Sequence, residues 1–438
     1  MTESHTKSRF GTERKGLFLS LRAAVAWICV LGSLSFSIGA IRAFAAPQKP
    51  ANPAAKSAAD SPEFKNLAAR AKEARHQNRL QEAADLYTKA LQLNPRWEEG
   101  WWYLGTIHYD ANNYADGVKA FRNLVGLDRN NAPALALLGL CEFETHDYGN
   151  AFVHLQSVNS NDLGSNEELW HVVQYHTALL DILHGDFDRS NKILSYLVQH
   201  NVLSEDVKMA LGLTLLRVPL LPDQIDPGKD ALISEAGGIG ELIALEDFDE
   251  ADRLFQQLLR DYPTTPFAHY AYGLMLSGLS EYEKAEVELR EEIKINPESS
   301  IPCMLLADVD IRLDRFQDAL PLAQEAVKLA PQAFAAHYLL GRALLGLDRV
   351  NDSIEELGIA KRLGPSSPEV RYILSRALAR AKRPREAAAE QAEFQRLDAL
   401  RYKQRSGGNS YRQSNERGEL EPHQVQAPEQ QSGDAPKP

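Results

Sequence analysis

One interval constrains this chain more than any other feature of its sequence. Gly273, Ala307, Gly341 and Ser375 stand 34 residues apart and form a column of small side chains. Tyr272, Leu306, Leu340 and Leu374 precede that column by one residue, and Ala285, Ala319, Ser353 and Ala387 follow it by twelve. Pro297, Pro331 and Pro365 close three of the four units. A period of this length, held by several columns together, marks a repeat architecture in which each unit buries its apolar face only by stacking on the next. Small columns fall where two helices approach closely, and a proline cannot continue the helix that reaches it. Each unit between Pro266 and Leu397 therefore predicts two helices joined by a short turn.

The same columns recur near the start of the chain. A first unit from Phe64 to about Trp97 carries Ala71, Ala83, Tyr87, Ala90 and Pro95. A second carries Trp101, Leu104, Gly105 and Phe121, and a third Leu135, Leu138, Gly139, Ala151 and Leu155. Gly117 and Leu124 stand where the second unit's packing columns call for alanine. The Trp, Leu and Gly of the second unit, with the constant period, resemble the tetratricopeptide repeat (TPR) family. That resemblance implies an all-α fold: a right-handed α-solenoid of roughly nine helix-turn-helix pairs, with an irregular central insert.

Repeats grow along one axis without separate cores, so one solenoid can use most of the 438 residues. A hydrophobic fraction of 44% beside 25% charged residues is that of a soluble protein. The net charge of -12 gives no overall field for nucleic acid, and none is expected as a partner. The first 45 residues hold Lys7, Arg9, Arg14, Lys15, Arg22 and Arg42 against Glu3 and Glu13, a charge of +4 that leaves -16 on the remainder. Cys29 lies in an apolar N-terminal run, while Cys141 and Cys303 sit on first helices of distant repeats. No disulfide framework follows from this, and both repeat cysteines read as small packing residues.

In chain order, 1–45 reads as an export segment. A basic start precedes the apolar run from Ala23 to Ile41, and Ala43, Phe44 and Ala45 form a small-x-small cleavage pattern. Two outcomes fit: cleavage ahead of Ala46, or retention as a membrane anchor, since roughly 20 apolar residues span a bilayer. Either leaves the repeats periplasmic, or outward-facing and anchored in the cytoplasmic membrane. Residues 46–62 are an Ala/Pro-rich linker, 63–158 the three-repeat N-terminal array, and 266–405 the four-repeat C-terminal array. Between them, 159–265 holds degenerate repeats. A helix pair is expected at 167–184 and 188–200, and a lone first helix at 204–217. A Pro/Gly-rich insert at 218–230 follows, and then a unit whose first helix Gly237, Gly238 and Gly240 should loosen. The tail 406–438 has the composition of a disordered segment.

Candidate chemistry is sparse. The three glycines are followed by Glu241 with no Lys-Ser/Thr pair, which excludes a phosphate loop. His146, His154, His171, His176, His184 and His200 crowd one stretch, yet none has the i, i+4 spacing of a helical metal pair. Asp308, Asp310 and Asp314 read as solvated charges and lack a calcium loop's glycine. No nucleophile has a base beside it. No catalytic residue, metal or cofactor is expected, and the chain does not read as an enzyme.

The resemblance places the second, fifth, ninth and twelfth positions of each first helix on the inner groove. The C-terminal array puts Phe267, Tyr270, Leu274, Met304, Asp308, Tyr338, Arg342, Tyr372 and Arg376 there, and the N-terminal array Lys65, Lys72, Trp102, Thr106 and Tyr109. Aromatic, methionine and arginine side chains together have the composition of a protein-binding surface. The tyrosines could equally pack between neighbouring repeats. The Lys, Asn and Arg set with which some family members hold a terminal carboxylate is absent; Ala68, Tyr103, Pro133 and Leu137 stand in such places. The function these features imply is an exported scaffold that binds a protein or peptide partner. Two alternatives stay open: an accessory or sensor protein with a small-ligand or metal site in the central region, and a component of an envelope assembly or export complex.

Overall fold

The computed structural model describes residues 61–407, which hold nineteen α-helices and three short 3-10 turns. The export segment 1–45, nearly all of the linker and the tail from 408 lie outside the described residues. The rest divides into two compact units between Leu258 and Leu259.

In the first unit the regular repeats are α1 (Pro62–His76) with α2 (Leu80–Leu93), α3 (Glu98–Asp110) with α4 (Tyr114–Leu127), and α5 (Ala132–Glu144) with α6 (Tyr148–Gln156). A 3-10 turn at Ser160–Leu163 leads to α7 (Glu167–His184) and α8 (Phe187–Gln199), then α9 (Glu205–Leu215). Two 3-10 turns, Pro222–Gln224 and Pro227–Lys229, precede α10 (Asp230–Ala244) and α11 (Phe248–Asp261). The second unit holds α12 (Ala268–Gly278), α13 (Tyr282–Ile295), α14 (Ser300–Arg312) and α15 (Phe316–Leu329). It ends with α16 (Phe334–Gly346), α17 (Val350–Leu363), α18 (Pro368–Arg380) and α19 (Pro384–Gly407). Each unit is a helical solenoid of stacked pairs.

Local chemistry sets the helix ends. Asn131, Asn166, Asp186 and Ser204 accept the backbone N–H three residues on, the usual first-turn cap. First helices stop by a second device: Asn78, Asn112, His146, Glu246, Ser280, Asp314, Asp348 and Lys382 all have φ between 54 and 62°. The next residue's N–H then bonds back to the helix, as Arg79 N does to the Ala74 carbonyl and Arg315 N to that of Asp310, both at 2.8 Å. Left-handed residues at this position close a helix and satisfy its last carbonyls. Glycine is the usual choice, and only the pair α7 and α8 uses one, Gly185.

Packing explains the small column. Large side chains sixteen residues on, Tyr87, Phe121, Leu155, Leu289 and Leu357, are essentially inaccessible. A Cβ on Gly105 would lie 2.7 Å from the Phe121 ring, and one on Gly341 would lie 2.6 Å from Leu357 Cγ. Ala307 faces the smaller Ala323 instead, within one core cluster. A glycine on the first helix makes room for a large side chain on the second, and the larger Ala307 meets a smaller partner. Gly117 has its own reason: a Cβ there would come within 2.8 Å of Cys141 Sγ, so the glycine makes room for the next repeat's cysteine. Cys141 and Cys303 are both free and buried.

The central glycines have a packing role beyond the loosening expected of them. α10 runs unbroken through Gly237, Gly238 and Gly240. Two of the three, Gly237 and Gly240, admit α9. A Cβ on Gly237 would stand 2.0 Å from the Lys208 carbonyl oxygen, and one on Gly212 of α9 would stand 1.9 Å from that of Ile233. The two backbones touch, which only glycine at both points permits. α9 is thus the odd helix beside nine pairs, held in place by α10. In the insert, Leu221 is buried while Leu220 remains exposed and Ile225 is partly covered.

Candidate functional site

In the second unit the first helices α12, α14, α16 and α18 carry the expected groove residues, and the structure sorts these by role. Tyr270 is buried at 9% exposure in a cluster with Leu289, Leu306 and Val309. Met304 and Tyr338 are half-buried against the core that joins α14 to α16. Tyr372 and Leu274 stay open at 39% and 46%. Packing therefore takes Tyr270 and shares Met304 and Tyr338, and the free surface falls to Leu274, Tyr372 and Arg376.

The ninth-position charges are also sorted. Arg342 Nη1 donates to Asp308 Oδ1 at 2.7 Å, and Asp308 Oδ2 accepts from Arg312 Nε at 2.6 Å. Arg342 is thereby tied to the preceding repeat, with its guanidinium 5.5 Å from the Tyr338 ring centroid. Arg376 lies 5.8 Å from the Tyr372 centroid and, among the described residues, makes no ion pair. The reading of Asp308, Asp310 and Asp314 as solvated charges is corrected for the first two. Asp308 is clamped between two arginines. Asp310 is inaccessible, its carboxyl pushed up to about 6 by burial, with Arg315 Nε 3.8 Å away.

Phe267 owes its position to a residue that sequence reading missed. It caps α12 with φ 66° and offers no capping side chain. The cap comes from the buried Glu292 of α13, whose carboxylate accepts from Phe267 N at 2.7 Å and Tyr270 N at 3.1 Å. A carboxylate on the first N–H groups of a helix satisfies donors that otherwise have no partner and complements the helix dipole. The Phe267 and Tyr270 rings then meet edge-on, centroids 6.1 Å apart. A signal existed: the same column holds Ala326 and Ala360 in the next two repeats, so an acid there is out of pattern.

A second column couples the pairs electrostatically. His269 Nδ1 lies 2.7 Å from Glu288 Oε2, and 68 residues on His337 Nδ1 lies 2.6 Å from Glu356 Oε2. The hydrogen bond that the His269 imidazole donates to Glu288 holds it above its ordinary range against the opposing effect of burial. A raised folded value means the pair stabilises fully below the unfolded imidazole's pKa, about 6.5, and the contribution fades as pH rises through the folded value. The unfolding midpoint is expected to fall between pH 6 and 9 more in the wild type than in His269→Gln. Parallel pH profiles of the two proteins would contradict this.

In the first unit Trp102 and Tyr109 are half-buried on α3. Trp102 meets Phe121 edge-on with centroids 6.1 Å apart, and Tyr109 meets Tyr114 at 5.7 Å. Burial pushes the Tyr109 phenol well above its ordinary range. A cavity of about 330 Å³ opens beside Trp102, lined also by Asn131, Pro133, Leu163, Asn166 and Leu169. Lys72 is paired with Glu99 at 2.9 Å, and Thr106 is buried, its hydroxyl donating to the Tyr103 carbonyl.

The histidines scatter into separate roles. His176 is buried, pushed down to about 4, and its Nδ1–H donates to the Val172 carbonyl at 2.8 Å. His154 Nδ1 lies 2.6 Å from the buried Glu142, which also accepts from Arg122 at 2.8 Å. His184 stacks on Phe152, and His200 on Tyr196. Among the described residues no three His, Cys, Asp or Glu are grouped to hold a metal.

The repeat family's sequence profile agrees with this architecture. A sequence profile of the tetratricopeptide repeat matches residues 68–132, 104–156, 241–300 and 304–368. Among solved structures, MamA 41-end from Desulfovibrio magneticus RS-1 is 22% identical, with 39% of this chain and 97% of that one covered at a TM-score of 0.37. YrrB, described as a TPR protein with an unusual peptide-binding site, is 17% identical over 40% of this chain and 92% of its own, at a TM-score of 0.34. No curated protein matches. With the 34-residue period, the helix pairs it encodes and the four profile matches in hand, the chain belongs to the tetratricopeptide-repeat family.

Proposed function

We propose that this protein is an exported, non-catalytic scaffold that captures a partner protein or peptide on the first helices of its C-terminal array. The observation that carries this reading is the exposed pair Tyr372 and Arg376, left open where Arg342 and Asp308 satisfy each other. An aromatic ring with an uncommitted guanidinium beside it supplies contact area and directional donors, the two properties that concentrate binding energy at interface centres. In the same column of the preceding repeat Arg342 is paired with Asp308, so Arg376 keeps free the donors that its counterpart spends inside the array. Export rests on the basic start, the apolar run and the Ala43 to Ala45 pattern.

Two measurements test the reading. A fusion of residues 1–62 to a reporter active only outside the cytoplasm should give signal, and a dark reporter would remove export. Affinity capture from envelope fractions with mass spectrometry should return a reproducible partner, and its absence would remove the scaffold.

A further inference from the structure

The geometry points to a proton-operated latch at two repeat junctions, one in each unit: while the buried carboxyl of Asp181 or Asp310 is neutral, the arginine beside it holds the preceding repeat, and an ionised carboxylate draws that arginine off. The latch is independent of any partner the protein takes.

The two acids occupy one place in the repeat. The backbone carbonyls of Glu142, Asp181 and Asp310 each accept the N–H that closes a first helix, from Asp147, Asp186 and Arg315. The same place in α1, α12, α16 and α18 holds Ala74, Leu276, Leu344 and Leu378. All three acids are inaccessible. Glu142 is satisfied, because its longer side chain reaches Arg122 of α4 at 2.8 Å and His154 of α6 at 2.6 Å. The aspartates are not: among the described residues neither oxygen of either one makes a hydrogen bond. An ionised carboxylate buried without hydrogen bonds is costly, and the neutral carboxyl avoids most of that cost.

A guanidinium stands near each acid but is committed elsewhere. Arg315 Nε is 3.8 Å from Asp310, while Arg315 Nη1 donates to Glu286 of α13 at 2.8 Å. Arg189 Nε is 3.2 Å from Asp181 without the alignment of a hydrogen bond. Its two Nη atoms donate to the Gln156 carboxamide of α6 at 2.6 and 3.0 Å, with the amide turned so that its oxygen faces the guanidinium. At both junctions, therefore, an arginine at the start of a second helix reaches the second helix of the preceding pair. Ionisation of the acid beside it sets up a competition for that arginine.

The other charges that face Asp310 are Glu286 and Arg290 of α13 and Asp318 of α15; those that face Asp181 are Asp186 and His184. Burial outweighs the arginines and pushes both carboxyls up to about 6. A folded value raised in this way gives stability that is fully present below the unfolded carboxyl's pKa, about 3.9, and is lost as pH rises through the folded value. Mild acid tightens both junctions.

Urea unfolding of the full chain at pH 4.5 and 7.5 tests the latch. Asp181→Asn and Asp310→Asn keep the shape of the neutral carboxyl and cannot ionise. The advantage of each variant over the wild type, read as a folding equilibrium constant, is expected to grow about tenfold or more from the lower pH to the higher. Histidines contribute alike to wild type and variants, so their titration cancels. A double-mutant cycle of Glu286→Gln with Arg315→Gln reads the latch itself. Glu286 keeps its charge in mild acid, because its hydrogen bonds from Arg290 and Arg315 hold its carboxyl below the usual range. The Glu286–Arg315 coupling should weaken severalfold between pH 5 and 7.5 in the wild type and stay constant in Asp310→Asn. Parallel stability profiles, an Asn variant less stable than the wild type at pH 7.5, or a coupling that ignores pH would each overturn the proposal.

Discussion

Gly237→Ala is expected to destabilise the first unit by about 2–3 kcal/mol, and Gly238→Ala, one residue along the same helix, to stabilise it by up to about 1 kcal/mol. The opposite signs follow from what each new methyl would meet. At Gly237 it would stand 2.0 Å from the Lys208 carbonyl oxygen, a backbone atom that moves only if α9 and α10 separate. At Gly238 its nearest neighbour would be Lys208 Cε at 3.8 Å, an ordinary contact with the far end of a flexible side chain. There the helix gains alanine's propensity and loses nothing. Gly212→Ala probes the crossing from the other side and should behave as Gly237→Ala does, since its methyl would stand 1.9 Å from the Ile233 carbonyl oxygen. Urea midpoints of the three single variants decide the matter. If Gly237→Ala and Gly238→Ala both stabilise, α9 and α10 are not in backbone contact.

Partner capture should fall about thirtyfold when Tyr372→Ala and Arg376→Ala are combined, with the unfolding midpoint near its wild-type value. Removing an aromatic anchor or an arginine from an interface centre commonly costs about 2 kcal/mol, which is roughly that factor. Tyr372 is exposed, and its ring touches Phe394 of α19 at a centroid distance of 5.4 Å, so its truncation uncovers little core. Tyr338→Ala with Arg342→Ala should behave differently. Tyr338 packs into two adjoining core clusters, and Arg342 bonds Asp308 of the previous repeat. That pair should lower the midpoint as well as capture, and the contrast between the two double variants separates recognition from packing. Undiminished capture by the Tyr372 and Arg376 variant at a normal midpoint would move the binding surface off the C-terminal array.

How much of this site was legible in advance depends on whether a residue acts within its repeat or across repeats. The fifth and ninth positions could be placed from periodicity and the family resemblance, and Tyr270, Met304, Tyr338 and Tyr372 do occupy equivalent places on successive first helices. Their division between core and surface could not be read, because it depends on what the next repeat packs against them: Leu306 and Val309 cover Tyr270, while no further first helix follows α18 among the described residues. Tyr372 is exposed where Tyr270 is buried, although the two letters and the two columns are identical. Glu292 was missed for the same reason: its partners, Phe267 N and Tyr270 N, lie 25 and 22 residues earlier and on another helix.

The sequence by itself determined the helix pairs, their boundaries and the small-against-large core of each repeat. Those are set by neighbours three to sixteen residues away, and a repeated column reports such neighbours several times over. Even the lone helix at 204–217 and the Pro/Gly-rich segment after it were visible, since proline and glycine act on the backbone where they stand. Only the tertiary structure decided what the glycines of α10 are for, because a glycine reads alike whether it loosens a helix or lets another backbone touch it. It also decided which residues take the left-handed turn, eight times an Asn, His, Glu, Ser, Asp or Lys rather than a glycine. The helix-closing hydrogen bonds hold each of these in place; Asn, Asp and His tolerate the left-handed turn best among non-glycine residues, but no local preference announces it at Glu246, Ser280 or Lys382.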